Sequence, residues 1–183
     1  LRSLIGKLAW PARAMCPQLA FMVSDLTQKF STAKVKDLNQ ANLVVKRARR
    51  LMETSQLYFP KINLKKACMV TYSDGSFDNM PRSGSQGGMI TFLCDGNVAN
   101  GSGAAAPLEW HSHRTKPVVK STLAAESAAL AEAQDHHEYA RVVFAAVMGK
   151  NIMSNQWMSA LDEIPGYLVV DAKSVYDMLI KEG

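Results

Sequence analysis

Ala67–Asp74, ACMVTYSD, is the run from which the fold of this chain is read. Apolar and β-branched residues fill it, and it ends on a carboxylate followed by Gly75, a turn residue, so a strand is expected. Gly166–Asp171, GYLVVD, ends the same way and leads through AKS into an amphipathic segment. Its apolar residues suit both faces of a buried parallel strand. Between these runs, Gly88–Cys94 and Pro107–His113 read as second and third strands, with Asp95-Gly96 as a hairpin signal. The segment FDNMPRSGSQGG, residues 77–88, reads as loop, and residues 97–105 are small and loose. Ser121 to about Val147, closed by Gly149, has the marks of a long helix. Asn151–Pro165 reads as a connection with a short helix at Trp157–Leu161, and Lys173–Lys181 as a last helix. The order βββαβα predicts an α/β fold: a mixed sheet of three antiparallel strands plus a parallel fourth, with helices packed on it.

Residues 1–66 differ in texture and are expected to form a helical arm preceding a domain at 67–183. Leu4, Ile5, Leu8 and Ala9 follow helical spacing until Pro11, which is expected to interrupt. Pro17 suits a first helical turn, after which Leu19, Met22, Val23, Leu26 and Phe30 keep an apolar face. A third helix is expected from Asp37 to about Met52, with Leu38, Ala41, Val45, Ala48 and Met52 on one side. The arm carries 13 Lys/Arg against three acids, a net +10, while residues 67–183 carry a net −5. A basic arm on a mildly acidic body points to nucleic acid as partner. Lys46, Arg47, Arg49 and Arg50 are the candidate phosphate contacts. The bland explanation is that they complement the dipole at a helix C-terminus.

The 183 residues, 48% of them apolar, are enough for a sizeable core. No apolar run approaches the roughly 18 residues of a membrane span, and the opening residues are not expected to act as a signal peptide. The start at Leu1 suggests a processed product or a fragment. Cys16, Cys68 and Cys94 are odd in number and lack metal-ligand spacing, which points to a reduced intracellular compartment.

Three acids stand out. Asp74 and Asp171 each end a strand, and if those strands are parallel neighbours both carboxylates emerge at one edge of the sheet, where open α/β sheets bind ligands. Glu126 lies one turn into the long helix on the stripe Leu123, Glu126, Leu130, Ala133, His137, Ala140, Phe144 and Val147, which is expected to face the core. A buried carboxylate is costly unless paired, hydrogen-bonded or bound to a cation, although a first-turn acid also gains from the helix dipole. Three converging carboxylates would suit Mg²⁺, which takes oxygen ligands. His111 and His113 alternate on a strand and share a face, but the sequence shows no third convergent ligand, so zinc is the minor reading. His136 and His137 are neighbours on a helix and point apart. Trp110 has the shape to stack on a base, but core packing is the commoner fate of such a residue.

The stretches YSDGSFDNMPRSGSQGG, LEWHSHRTKPVVKSTLAAES and VVDAKSVYDML resemble the ribonuclease H domain of copia-type LTR retrotransposons. The upstream piece, residues 4–50, resembles the tail of the reverse transcriptase that precedes that domain. The resemblance implies a ribonuclease-H-like fold and matches Asp74, Glu126 and Asp171 to three of the family's catalytic, Mg²⁺-binding carboxylates. The family's fourth carboxylate and fifth strand have no counterpart before Gly183, which implies weak or absent cleavage. Two functions follow as expectations. One is a retroelement remnant reused as a structural, RNA-associated subunit of a large ribonucleoprotein assembly such as a mitochondrial ribosome. The alternative is a Mg²⁺-dependent endoribonuclease acting on RNA–DNA hybrids, placed in nucleus or cytoplasm. The truncation and the basic arm favour the first; the intact triad favours the second. Either way the apolar edge at 166–171 is expected to be covered, by the arm, a neighbouring protein or a further segment.

Overall fold

The computed structural model describes residues 1–80, 84–152 and 157–181. Three helices come first: α1 (Arg2–Ala14), α2 (Ala20–Gln28) and α3 (Val35–Thr54). Strands β1 (Cys68–Met80), β2 (Gly84–Cys94) and β3 (Ala105–Arg114) follow, then α4 (Thr122–Val147), α5 (Trp157–Asp162), β4 (Gly166–Val170) and α6 (Lys173–Lys181). The sheet order is β3-β2-β1-β4, with β1–β2 and β2–β3 antiparallel and β1–β4 parallel. This is the expected ribonuclease-H-like mixed sheet with packed helices, preceded by a helical arm.

The arm has its own core, built from Ile5, Leu8, Leu19, Val23, Leu26, Ala41 and Val44 among others. Pro11 does not interrupt α1 as expected; the helix runs on to Ala14 with the Pro11 ring buried. The missing donor is one bond, and burying the ring offsets it. On α3 the buried side is Asp37, Ala41, Val44 and Ala48, whereas Leu38 and Met52 are exposed, so the apolar face is rotated from the expected one. Packing on the arm core selects Ala41, Val44 and Ala48, and Asp37 is buried beside them at the helix start, where it accepts the Lys34 backbone N–H at 2.8 Å.

The expected loop at 77–88 is mostly strand. β1 continues past Asp74 to Met80 and β2 begins at Gly84, with pairs running from Cys68↔Cys94 to Ser76↔Gln86 and on to Met80↔Gly84. Backbone ladder bonds sustain such a hairpin stem whatever its side chains, and the turn formers there mark an irregular stretch between Ser76 and Met80, with Asp78 at φ 50°. Residues 81–83 of that segment lie outside the described residues, as do 153–156 of the expected connection. Asp95-Gly96 does not form a two-residue hairpin. The Asp95 carboxylate accepts the Asn97 N–H at 3.0 Å and starts a 3-10 turn over Gly96–Asn100 within a longer link to β3.

α4 lies across the sheet on Ala125, Ala129 and Ala133, small residues that bring helix and sheet close. Glu126, Ala133 and His137 are buried as expected, but Leu123 and Val147 are exposed because a helix of about 39 Å outruns the sheet at its ends. His137 Nδ1 lies 2.9 Å from the Thr71 hydroxyl, which in turn lies 2.8 Å from the Thr91 hydroxyl, so the polar side chains under α4 satisfy one another. The opposite face holds Cys68, Val70 and Cys94 with Phe92 and Val169. Burial pushes the Cys94 thiol up to about 11, and all three cysteines are free.

β4 is not buried on both faces. Among the described residues it is an edge strand flanked only by β1, and Tyr167 and Leu168 are exposed. The arm packs at the other edge, against β3, where Trp110 is buried and its Nε1 donates to the Ala12 carbonyl at 2.6 Å. The arm therefore does not cover the β4 edge.

Candidate active site

Strand register places the first two carboxylates. Ser73 pairs with Val170, so Asp74 and Asp171, the next residues on parallel neighbours, stand level where β4 ends. Asp74 does not terminate its strand, as expected from sequence; β4 stops instead, and that opens the edge beside Asp74.

Glu126 is delivered by α4, whose N-cap, Ser121, accepts the Ala124 N–H at 3.1 Å. Gly75 makes the approach possible, and its role is contact rather than a turn. A Cβ there would lie 2.7 Å from the Ala125 carbonyl oxygen and 2.9 Å from Glu126 Cα. With only hydrogen in that space, the Glu126 carboxylate accepts the Gly75 backbone N–H at 2.9 Å.

Asp74, Glu126 and Asp171 thus converge: one oxygen from each lies within 4.8 Å of the others. Burial holds the Glu126 carboxyl above its ordinary range, the Gly75 N–H opposes this, and the charges of Asp74 and Asp171 raise it further. The described residues show no salt bridge between these acids and a Lys or Arg. An all-oxygen set with uncompensated like charge fits a hard divalent cation such as Mg²⁺.

Two of the three acids open onto a groove of about 640 Å³ between arm and sheet. Pro17, Ala20 and Phe21 form its arm side, and Tyr72, Trp110, Asp74 and Asp171 are among its sheet residues. Phe21 and Tyr72 are about half exposed, whereas Trp110 is packed away. The aromatic surface available for stacking is therefore a pair that sequence reading did not single out. Their signal was invisible because Phe21 sits on an arm whose docking is a tertiary fact.

Lys46, Arg47, Arg49 and Arg50 are all exposed on α3, and none takes part in a salt bridge among the described residues. None lines the groove, so the structure does not bring them to the carboxylates.

The histidines of β3 gain a partner from α4. His113 Nε2 lies 2.6 Å from one Glu132 oxygen and His111 Nδ1 lies 4.0 Å from the other. Sequence reading missed Glu132, because a helix residue meets a strand residue only through packing. His136 pairs instead with Glu109, Nδ1 to Oε1 at 3.0 Å.

No helix among the described residues is long and apolar enough to cross a membrane. No protein-family model matches the chain, and no curated protein matches it.

Proposed function

We propose that the chain is a retroelement-derived ribonuclease-H-like domain that hydrolyses the RNA strand of RNA–DNA hybrids with Mg²⁺. The observation that carries this reading is the convergence of Asp74, Glu126 and Asp171 within 4.8 Å beside an open groove. The three carboxylates would hold the metal, which when bound supplies an activated water and stabilises the leaving oxygen in phosphodiester cleavage. The protein's own part is positional. Gly75 fixes one carboxylate through its N–H, and strand register fixes the other two. Phe21 and Tyr72 offer faces for bases, a sequence-tolerant form of grip.

A second reading has its own support: the exposed β4 edge and the unpaired α3 cations suit an RNA-associated structural subunit of a larger assembly. One experiment separates the two. Purified protein is incubated with a labelled hybrid and Mg²⁺. The nuclease reading expects cleavage that falls at least a hundredfold in Asp74→Asn. Hybrid or RNA binding with no cleavage above background would favour the structural reading.

A further inference from the structure

We propose a second metal site, for a zinc-class divalent ion, formed by His111, His113 and Glu132. It lies two strands away from the acidic cluster, on β3 rather than between β1 and β4.

The geometry begins with the period of the strand. His111 and His113 are two apart on β3, so their rings project from the same face and stack with centroids 4.8 Å apart. Glu132 reaches them from α4 with both oxygens engaged, one toward each ring. One ligand atom from each residue lies within 4.8 Å of the others. Tetrahedral zinc with bonds of about 2.0–2.2 Å needs ligand atoms roughly 3.3–3.6 Å apart. The 4.0 Å between His111 Nδ1 and one Glu132 oxygen, like any separation up to the 4.8 Å limit of the set, must shorten, and the 2.6 Å between His113 Nε2 and the other oxygen must lengthen.

A second observation is independent of spacing. Nδ1 of His111 and Nδ1 of His113 are buried and have no hydrogen-bond partner. Buried polar atoms without a partner are rare, and an absent ion is one standing explanation for His111 Nδ1, the atom of that ring that faces Glu132; His113 faces Glu132 through Nε2, so the ion accounts for the His111 atom alone. Two imidazoles and a carboxylate, with a fourth position left for water, form a familiar zinc donor set. It is chemically distinct from the all-oxygen set of the acidic cluster, which suits Mg²⁺.

The surroundings are mixed in charge. Glu132 and the nearby Glu109, paired with His136, favour a cation; Arg13 of the arm, close enough to act on His111, opposes one. The His136 ring lies 5.7 Å from that of His111 and walls the site. An ion here would clamp β3, the strand on which the arm docks, to α4.

The test uses the full chain freed of metal with a chelator and titrated with Zn²⁺, then with Co²⁺ for its visible spectrum. The expected result is one site of micromolar or tighter affinity with the intense d–d bands of four-coordinate cobalt. Tm should rise by roughly 5 °C or more at a hundredfold excess over Kd. Glu132→Gln and His113→Gln should each weaken Zn²⁺ binding at least tenfold, while Asp74→Asn should leave it unchanged. Zinc binding that survives Glu132→Gln and disappears in Asp74→Asn would overturn the proposal. Should the variants fail to fold, ring ¹⁵N shifts of the wild-type histidines decide. Saturable shifts at His111 and His113 support the site, and unmoved rings refute it.

Discussion

Glu126 and Gly75 meet through a single hydrogen bond, the helix carboxylate accepting the strand N–H at 2.9 Å, across a gap that admits no side chain. The same contact that closes α4 onto the sheet therefore aims the acid at Asp74 and Asp171. Fold and site share this point, so damage to one reads out in the other.

Gly75→Ala tests that sharing. Its Cβ would press on backbone atoms of Ala125 and Glu126, which cannot rotate away. The expected cost is about 1–3 kcal/mol in denaturant unfolding, the usual range for overpacking. Cation affinity at the acidic cluster should fall alongside, measured by Mn²⁺ titration. A variant as stable as wild type would show that α4 approaches less closely than described.

The surroundings of His137 give stability a pH dependence of expected sign. Burial lowers its pKa most, Arg141 lowers it further, and Glu138 raises it somewhat. The folded state thus favours the neutral His137 ring, and its contribution is complete above the unfolded value of about 6.5. As pH falls below that value the unfolded chain takes up the proton first, and stability declines. His111 acts in the same direction and Glu126 in the opposite one. The comparison that isolates His137 is wild type against His137→Gln: the difference in urea midpoint should shrink from pH 7.5 to pH 5.5. A constant difference would mean that His137 does not titrate differently on folding. Thr71→Val, which strips the partner of His137 Nδ1, should cost about 1–3 kcal/mol at pH 7.5.

Trp110 is the tie between arm and sheet. Trp110→Phe keeps an aromatic ring but leaves the Ala12 carbonyl without its donor. The expected loss is about 1–3 kcal/mol, with faster proteolysis of residues 1–54 than of the sheet. Equal protection of both parts would show that other contacts hold the arm.

The α3 cations test nucleic-acid binding apart from cleavage. Replacing Lys46, Arg47, Arg49 and Arg50 together with Ala should weaken hybrid or RNA binding. It should also reduce the slope of log K against log[salt] by up to about 3 on single-stranded RNA and up to about 4 on a duplex, if all four release counterions. Since the four lie away from the groove, Mn²⁺ affinity at the acidic cluster should be unchanged. Identical binding at every salt concentration would leave them as solvated residues.

Legibility differed between elements. β4 and α6 were placed within a residue, and α4 was bounded by its cap Ser121 and by Gly149, because these signals are local. The β1–β2 stem past Asp74 was missed, since a ladder of backbone bonds can carry a glycine-rich, polar segment that composition assigns to loop. The faces of α3 and α4 were partly misjudged for a related reason. Helical spacing gives a stripe, but the docking angle selects which residues of that stripe meet the neighbour.

What the sequence determined by itself was the element order, the mixed sheet that follows from it, and the identity of Asp74, Glu126 and Asp171 as the acids to watch. Alternation, caps and turn chemistry act over a few residues, so they can be read along a single chain. What only the tertiary structure decided was proximity: the 4.8 Å convergence of those acids, the Gly75 gap, the Trp110–Ala12 bond, and Glu132 beside His111 and His113. Each joins residues distant in sequence, and their separation is set by how closely α4 and the arm pack on the sheet. That closeness depends on alanines and one glycine whose effect appears only when two surfaces are brought together.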